Sequence, residues 1–172
     1  MDIFPELMRN AALLLSSVLI FDLLTSRWHS SREAWIGQQI VVGLILGAIG
    51  VVVMLTPWTL QAGVVFDTRS VLLCISGLFF GPIPTLIAML VTITMRLYGG
   101  GAGTLTGISV ILATGGLGLI WRHMRRGALN EITLPELYVF GMLAHLIMLA
   151  LMFTLPWPMA LNALRNISLP VL

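Results

Sequence analysis

Three ionisable residues flank or lie within one long apolar stretch of this chain: Asp67, Arg69 and Arg96. Arginine carries a planar fork of donors that matches a carboxylate through two parallel hydrogen bonds. Two such forks at one shallow polar pocket would seat a small organic anion, with Asp67 holding one fork in place. Directly after Arg96 the chain reads Tyr98-Gly99-Gly100-Gly101-Ala102-Gly103 and then Thr104-Leu105-Thr106. A glycine-rich turn that feeds a helix start offers free amide hydrogens at the positive end of the helix dipole, which suits an anion. Gly99, Gly100, Gly101 and Gly103 would supply amides, and Thr104 and Thr106 hydroxyl donors. Each arginine alone has a plainer reading, in which it snorkels to the membrane interface, and the glycines alone could serve only as a turn. The convergence of all three features is what points to a ligand.

Other polar residues are secondary candidates. Asn10 opens the first apolar run and could line the same pocket. His145 stands in the middle of a later run, where an ionisable group is a functional candidate by default, although a neutral histidine bonded inside the bundle explains it equally well. Asp22 could pair with Arg27 or Arg122. Ser109 with His145 would be the bare ingredients of a serine hydrolase, but neither sits in a nucleophile motif, so this domain is expected to be non-catalytic. No phosphate loop, dinucleotide fingerprint or metal-ligand spacing occurs, and no metal or cofactor is expected.

The elements that must position these residues follow from composition. Of 172 residues 58% are hydrophobic and 9% charged, with a mean hydropathy of +1.02. A soluble domain carries about 25% charged residues. An ordinary soluble enzyme and a disordered chain are therefore excluded, and an all-α integral membrane protein is left. The nine basic residues are all arginine and are scattered among loops, giving a net charge of +2. Nucleic-acid binding would need a clustered basic face, so no nucleic-acid partner is expected. The single cysteine, Cys74, cannot form an internal disulfide. The start, Met1 to Arg9, lacks the features of a cleaved secretory signal, so the first apolar run reads as a retained helix.

A helical span needs about 20 apolar residues. Leu7 to Leu24, Ile40 to Leu55, Thr104 to Trp121 and Leu137 to Leu155 meet or approach that length. Ser70 to Leu97 is apolar too, but Gly81, Pro82 and Pro84 interrupt it where prolines should break a helix. It is one kinked span or two short ones. Arginines near span ends favour the cytoplasm, which puts the loop with Arg27 and Arg32 and the loop with Arg122, Arg125 and Arg126 inside. An even number of crossings must separate them, so Ser70 to Leu97 supplies two crossings or a re-entrant hairpin. The expectation is a six-helix bundle with the third and fourth helices short, and with Arg69 and Arg96 at the outer face. Ser168 to Leu172 reads as the opening of a seventh span leading towards a cytoplasmic output region. Residues 1–172 form a single membrane domain. The spacings Gly43, Gly47, Gly50 and Gly115, Gly116, Gly118 suit close helix approach, as packing or dimer faces.

The ordered run Phe66-Asp67-Thr68-Arg69-Ser70, then Ser76-Gly77-Leu78-Phe79-Phe80-Gly81-Pro82-Ile83-Pro84, then Arg96 to Gly103 and Thr106-Gly107, resembles the membrane sensor region of LytS-type receptors. That family is described as a five-transmembrane receptor region attached to histidine kinases or diguanylate cyclases. The motif core, Phe66 to about Trp121, covers roughly a third of the chain. The resemblance implies a bacterial inner-membrane sensor that binds a small carboxylate such as pyruvate through Arg69 and Arg96. It also implies a homodimer and, through a kinase output, a cytoplasmic response regulator. A relative uses a cysteine and a serine on the helix after the glycine turn, where this chain reads Thr106-Gly107-Ile108-Ser109. The family's name counts five spans, whereas the charges here want six and a seventh. The Gly-Pro break also resembles the substrate-binding subunits of energy-coupling-factor vitamin transporters, an analogy of fold that does not settle function. It leaves a transporter subunit as the alternative to a sensor.

Overall fold

Glycines at 43, 47 and 50 remove side chains from one stripe of the apolar run Ile40 to Leu55, and that stripe decides how the bundle closes. The computed structural model describes residues 36–55, 58–61, 64–66, 68–125 and 131–155, with 12, 15 and 157. Leu7 to Leu24 apart from residues 12 and 15, with Asp22 among the rest, and the stretch from Ser168 lie outside the described residues.

Helix α1 spans Ile36–Leu55. A short antiparallel hairpin follows, β1 Trp58–Gln61 paired with β2 Val64–Phe66. Then come α2 Arg69–Phe79, α3 Pro82–Gly99, α4 Thr104–Met124 and α5 Leu134–Leu151. A 3-10 turn at Met152–Thr154 extends α5. Helices α1, α3, α4 and the continuous Leu134–Thr154 are long and apolar enough to cross a membrane.

The all-α architecture holds, with two refinements. First, a short hairpin before α2 is added to the helices. Its strands have four and three residues, too short for a period-2 pattern to stand out beside the long apolar runs. Second, the break at Gly81 does not make two short helices. Helix α2 has 11 residues, about 16 Å of rise against a hydrocarbon core of about 30 Å, but α3 has 18. The prolines explain the asymmetry. Pro82 is the first residue of α3 and Pro84 lies in its first turn, where amide hydrogens have no partner within the helix, so proline costs nothing there. Gly81 takes φ +84° at the corner, a conformation open to glycine and strained for other residues.

The bundle is built from parallel helix pairs held by missing side chains. A Cβ on Gly43 would meet Pro84 and Ile87, one on Gly47 would meet Val91, and one on Gly50 would lie 2.6 Å from Thr92 Cγ2. These numbers rise together, so α1 and α3 run side by side in the same direction. Gly77 faces Gly115, Gly118 and Leu119, while Arg69 reaches Gly107 at one end and Arg122 bonds Leu78 and Phe79 at the other, so α2 and α4 are parallel as well. Gly43, Gly47, Gly50, Gly115 and Gly118 are thus consumed in packing within the chain, whereas a Cβ on Gly116 would meet nothing within 4 Å. Leu46, Leu72, Leu73, Ala88, Met89 and Ile111 fill the centre. Cys74, Leu78, Phe140 and Ala144 form a second cluster that brings α5 against α2.

At the end of the bundle holding Gly81, Arg122 donates from Nη1 to the carbonyls of Leu78 (3.0 Å) and Phe79 (2.9 Å). A cation there satisfies carbonyls that the end of α2 leaves open and opposes its dipole. The Gly81 corner and the Arg122 loop therefore share one face, as the charge argument requires. Beside it Arg125 Nε donates to Glu136 Oε1 at 2.7 Å, Trp121 Nε1 donates to the same oxygen at 3.2 Å, and Thr133 caps α5 by accepting from the Glu136 amide. The bond to Glu136 holds the Arg125 guanidinium above the ordinary arginine value.

Candidate functional site

At the opposite end, the first residue of α2 and the fifteenth of α3 meet. Because α2 starts at Arg69 and α3 returns from Gly81, the corner brings Arg96 back to the level of Arg69. Both are buried, with 5% and 6% of their surface exposed. Burying a charge is costly unless its surroundings compensate it, so two buried arginines at one end of a membrane bundle are the strongest polar signal of the described residues.

Their meeting point is Gly107. A Cβ placed there would fall 2.7 Å from Arg96 Nε and 3.1 Å from Arg69 Nη2. The absence of a side chain at this one position of α4 is what admits both guanidiniums. The Arg96 Nε atom is buried without a hydrogen bond, while the side chain has other interactions. Gly107 is the fourth residue of α4, and its amide is bonded to the Gly103 carbonyl at 2.8 Å. The two guanidiniums and the N-terminal end of α4 meet at one spot, about one helical turn in from the ends of α3 and α4.

The remaining predicted residues divide. Thr106 is buried, and its hydroxyl lies 2.6 Å from that of Thr154 in the 3-10 turn after α5. Thr104 donates its hydroxyl to the Gly101 carbonyl at 2.8 Å, so its proton is spent on the turn. Gly103 is buried at the cap of α4, while Gly99 and Gly101 are exposed and Gly100 half-buried. Gly100 and Gly101 carry φ +59° and +93°, and the Gly100 amide closes on the Arg96 carbonyl at 3.2 Å. The glycines therefore shape the turn first. Asp67 and Asn10 lie outside the described residues.

His145 belongs elsewhere. Its Nδ1 lies 2.7 Å from the Gly141 carbonyl one turn back, and its ring lines a crevice with Val71, Cys74, Ile75, Phe140 and Ala144. Ser109 is half-buried on α4. Among the described residues no hydrogen bond joins Ser109 to His145, so the serine-hydrolase pairing is not assembled. The larger crevice, about 510 Å³, lies between α4 and α5 at the Arg122 end, lined by Leu117, Ile120, Trp121, Met124 and Leu143 with Arg125 and Glu136. It is remote from the arginine pair.

Sequence reasoning missed Gly107 and Thr154 as site residues. Gly107 had a legible signal, since a glycine inside a helix costs about 1 kcal/mol relative to alanine and so implies a packing reason. Thr154 had none, because only the fold brings it to Thr106.

Four helices able to cross a bilayer, with a polar corner at one end of the bundle, define a multi-pass membrane domain. The family described as 5TMR of 5TMR-LYT, a five-transmembrane receptor region, matches residues 21–172, and the chain belongs to it. It is a membrane sensor module of signalling proteins, in the bacterial inner membrane. No curated protein matches the chain. No solved structure matches it either.

Proposed function

We propose that this domain senses a small carboxylate such as pyruvate, held between Arg69 and Arg96 near the extracytoplasmic face. The observation that carries the reading is the approach of both buried guanidiniums to Gly107. A carboxylate between them would accept from both forks, with charge-assisted bonds stronger than neutral ones. Membership in a sensor family makes a ligand seat of this kind the natural use for two buried cations. In this reading Asp67 orients an arginine, and Thr106 and the turn amides of Gly99 to Gly103 complete the seat.

The reading extends to a six-helix bundle whose first member is Leu7 to Leu24, with a seventh span beyond it. The membrane domain itself is non-catalytic. It works as a homodimer and passes a helix displacement to a cytoplasmic output, a histidine kinase acting on a response regulator or else a diguanylate cyclase. A ligand shifts such an equilibrium only through different affinity for the two states.

The test is a thermal-shift screen of the purified protein against pyruvate, lactate and related short carboxylates, with the Arg69→Ala, Arg96→Ala double variant alongside. Stabilisation of the wild type that the variant loses supports the seat. No shift with any carboxylate, both proteins being folded, defeats it and moves weight to the transporter-subunit reading, for which uptake by vesicles is the assay.

A further inference from the structure

Thr106 has a single hydroxyl proton, and the fold has already committed it. Thr154 Oγ1 donates to the Leu151 carbonyl at 2.7 Å, so the proton in the 2.6 Å contact between the two threonines comes from Thr106. Thr106 is the residue before Gly107, on the first turns of α4, and Thr154 closes the 3-10 turn that ends α5. This bond ties the arginine corner to the last described element of the chain. A second, weaker tie lies nearby: Ser70, the residue after Arg69, directs its hydroxyl at Met148 Sδ of α5 at 4.0 Å.

We propose that the Thr106 hydroxyl switches its hydrogen bond from Thr154 to a bound carboxylate, so that ligand binding frees the 3-10 turn at the end of α5 from α4. The inference rests on the carboxylate reading of the arginine pair. A carboxylate is an acceptor only and carries a full charge, so it is a better partner for a hydroxyl proton than the neutral Thr154 oxygen. When it accepts that hydrogen bond, Thr154 keeps its bond to Leu151 but loses its link to α4. Thr154 is then a positioning residue that lowers affinity, because the ligand must displace it. The binding free energy is thereby coupled to the release of the 3-10 turn at Met152–Thr154.

The experiment is calorimetric titration of the full chain in lipid nanodiscs with pyruvate as the probe. Thr154→Val, which keeps the shape and removes the competing oxygen, is expected to bind about three- to tenfold tighter, the worth of one neutral hydrogen bond. Thr154→Ser is expected to match the wild type, and Thr106→Val to bind about three- to tenfold more weakly. Hydrogen exchange at residues 152–155 of the wild type is expected to speed up on adding pyruvate, a readout that does not depend on any variant folding. Unchanged or weaker binding by a folded Thr154→Val, or unchanged exchange at 152–155, overturns the inference while wild-type binding leaves the arginine seat standing. A wild type that binds no pyruvate overturns both.

Discussion

Arg69 and Arg96, carried by different helices, lay their guanidiniums against the same glycine: Arg96 Nε would lie 2.7 Å, and Arg69 Nη2 3.1 Å, from a Cβ on Gly107. The site is defined by a missing side chain as much as by two present ones. Every element around it serves that meeting, with α2 beginning at Arg69, α3 returning Arg96 from the Gly81 corner, and α4 offering Gly107 in its first turns.

Gly107→Ala should therefore uncouple ligand binding from folding. The new methyl meets the Arg96 side chain at Nε and Cδ and the Arg69 side chain at Nη2, so side chains rather than backbone must shift, and the stability cost should sit at the low end of overpacking, about 1 kcal/mol. Pyruvate affinity should fall by tenfold or more, about 1.4 kcal/mol. Calorimetry and thermal unfolding of the same sample read the two effects separately. Intact affinity would show that the arginines do not need the space.

Gly118→Ala is expected to behave in the opposite way. Its Cβ would run into the backbone of α2, at the Cys74 carbonyl and Gly77, which cannot yield as a side chain does. Overpacking of this kind costs about 1 to 3 kcal/mol. Gly116→Ala, in the same helix with open space around it, is the matched control and should raise stability by up to about 1 kcal/mol, the helix-propensity gain of alanine over glycine. Equal effects of the two substitutions would contradict the packing of α2 on α4.

Arg122→Gln should weaken the Gly81 end of the bundle. The guanidinium caps two carbonyls of α2, and losing hydrogen bonds from a charged donor costs about 1.5 to 3 kcal/mol. The same arginine helps to orient the chain. Denaturant unfolding in detergent measures the first effect, and no loss of stability would mean that the contact contributes nothing.

Sidedness is open to direct chemical labelling. In a Cys74→Ser background, Tyr98→Cys and Met124→Cys place thiols at positions 89% and 73% exposed at opposite ends of the bundle. An impermeant maleimide added to intact cells should label position 98, and should reach position 124 only after the membrane is opened. The reverse pattern would invert the topology and place the arginine corner in the cytoplasm.

Much of this arrangement was legible in the residues. The apolar runs marked α1, α4 and α5 to within a few residues, and the paired loops of arginine required the Gly81 segment to turn back. That constraint brought Arg69 and Arg96 to one end. What escaped is instructive in physical terms. Pro82 and Pro84 looked like breakers of a long helix, yet proline is harmless in a first turn, so the break lies at Phe80 and Gly81 and leaves α3 long. The glycine stripes were ambiguous between packing and dimer formation, because composition cannot tell which neighbour fills a groove. Thr154 carries no local signal, since its partner Thr106 lies on another helix. The hairpin at Trp58–Phe66 was hidden because short strands in a membrane protein leave little periodicity.

The central claim is that Arg69 and Arg96 act on one ligand, and a calorimetric double-variant cycle tests it most directly. Pyruvate would be titrated into the wild type, Arg69→Gln, Arg96→Gln and the double variant, each reconstituted in nanodiscs. If both forks hold the same carboxylate, each single variant should lose most of the binding and the double variant should lose little more. The coupling between the two positions should be about 1 to 3 kcal/mol, as for groups that share one partner. Losses that simply add, or a wild type that binds no carboxylate, would contradict the account.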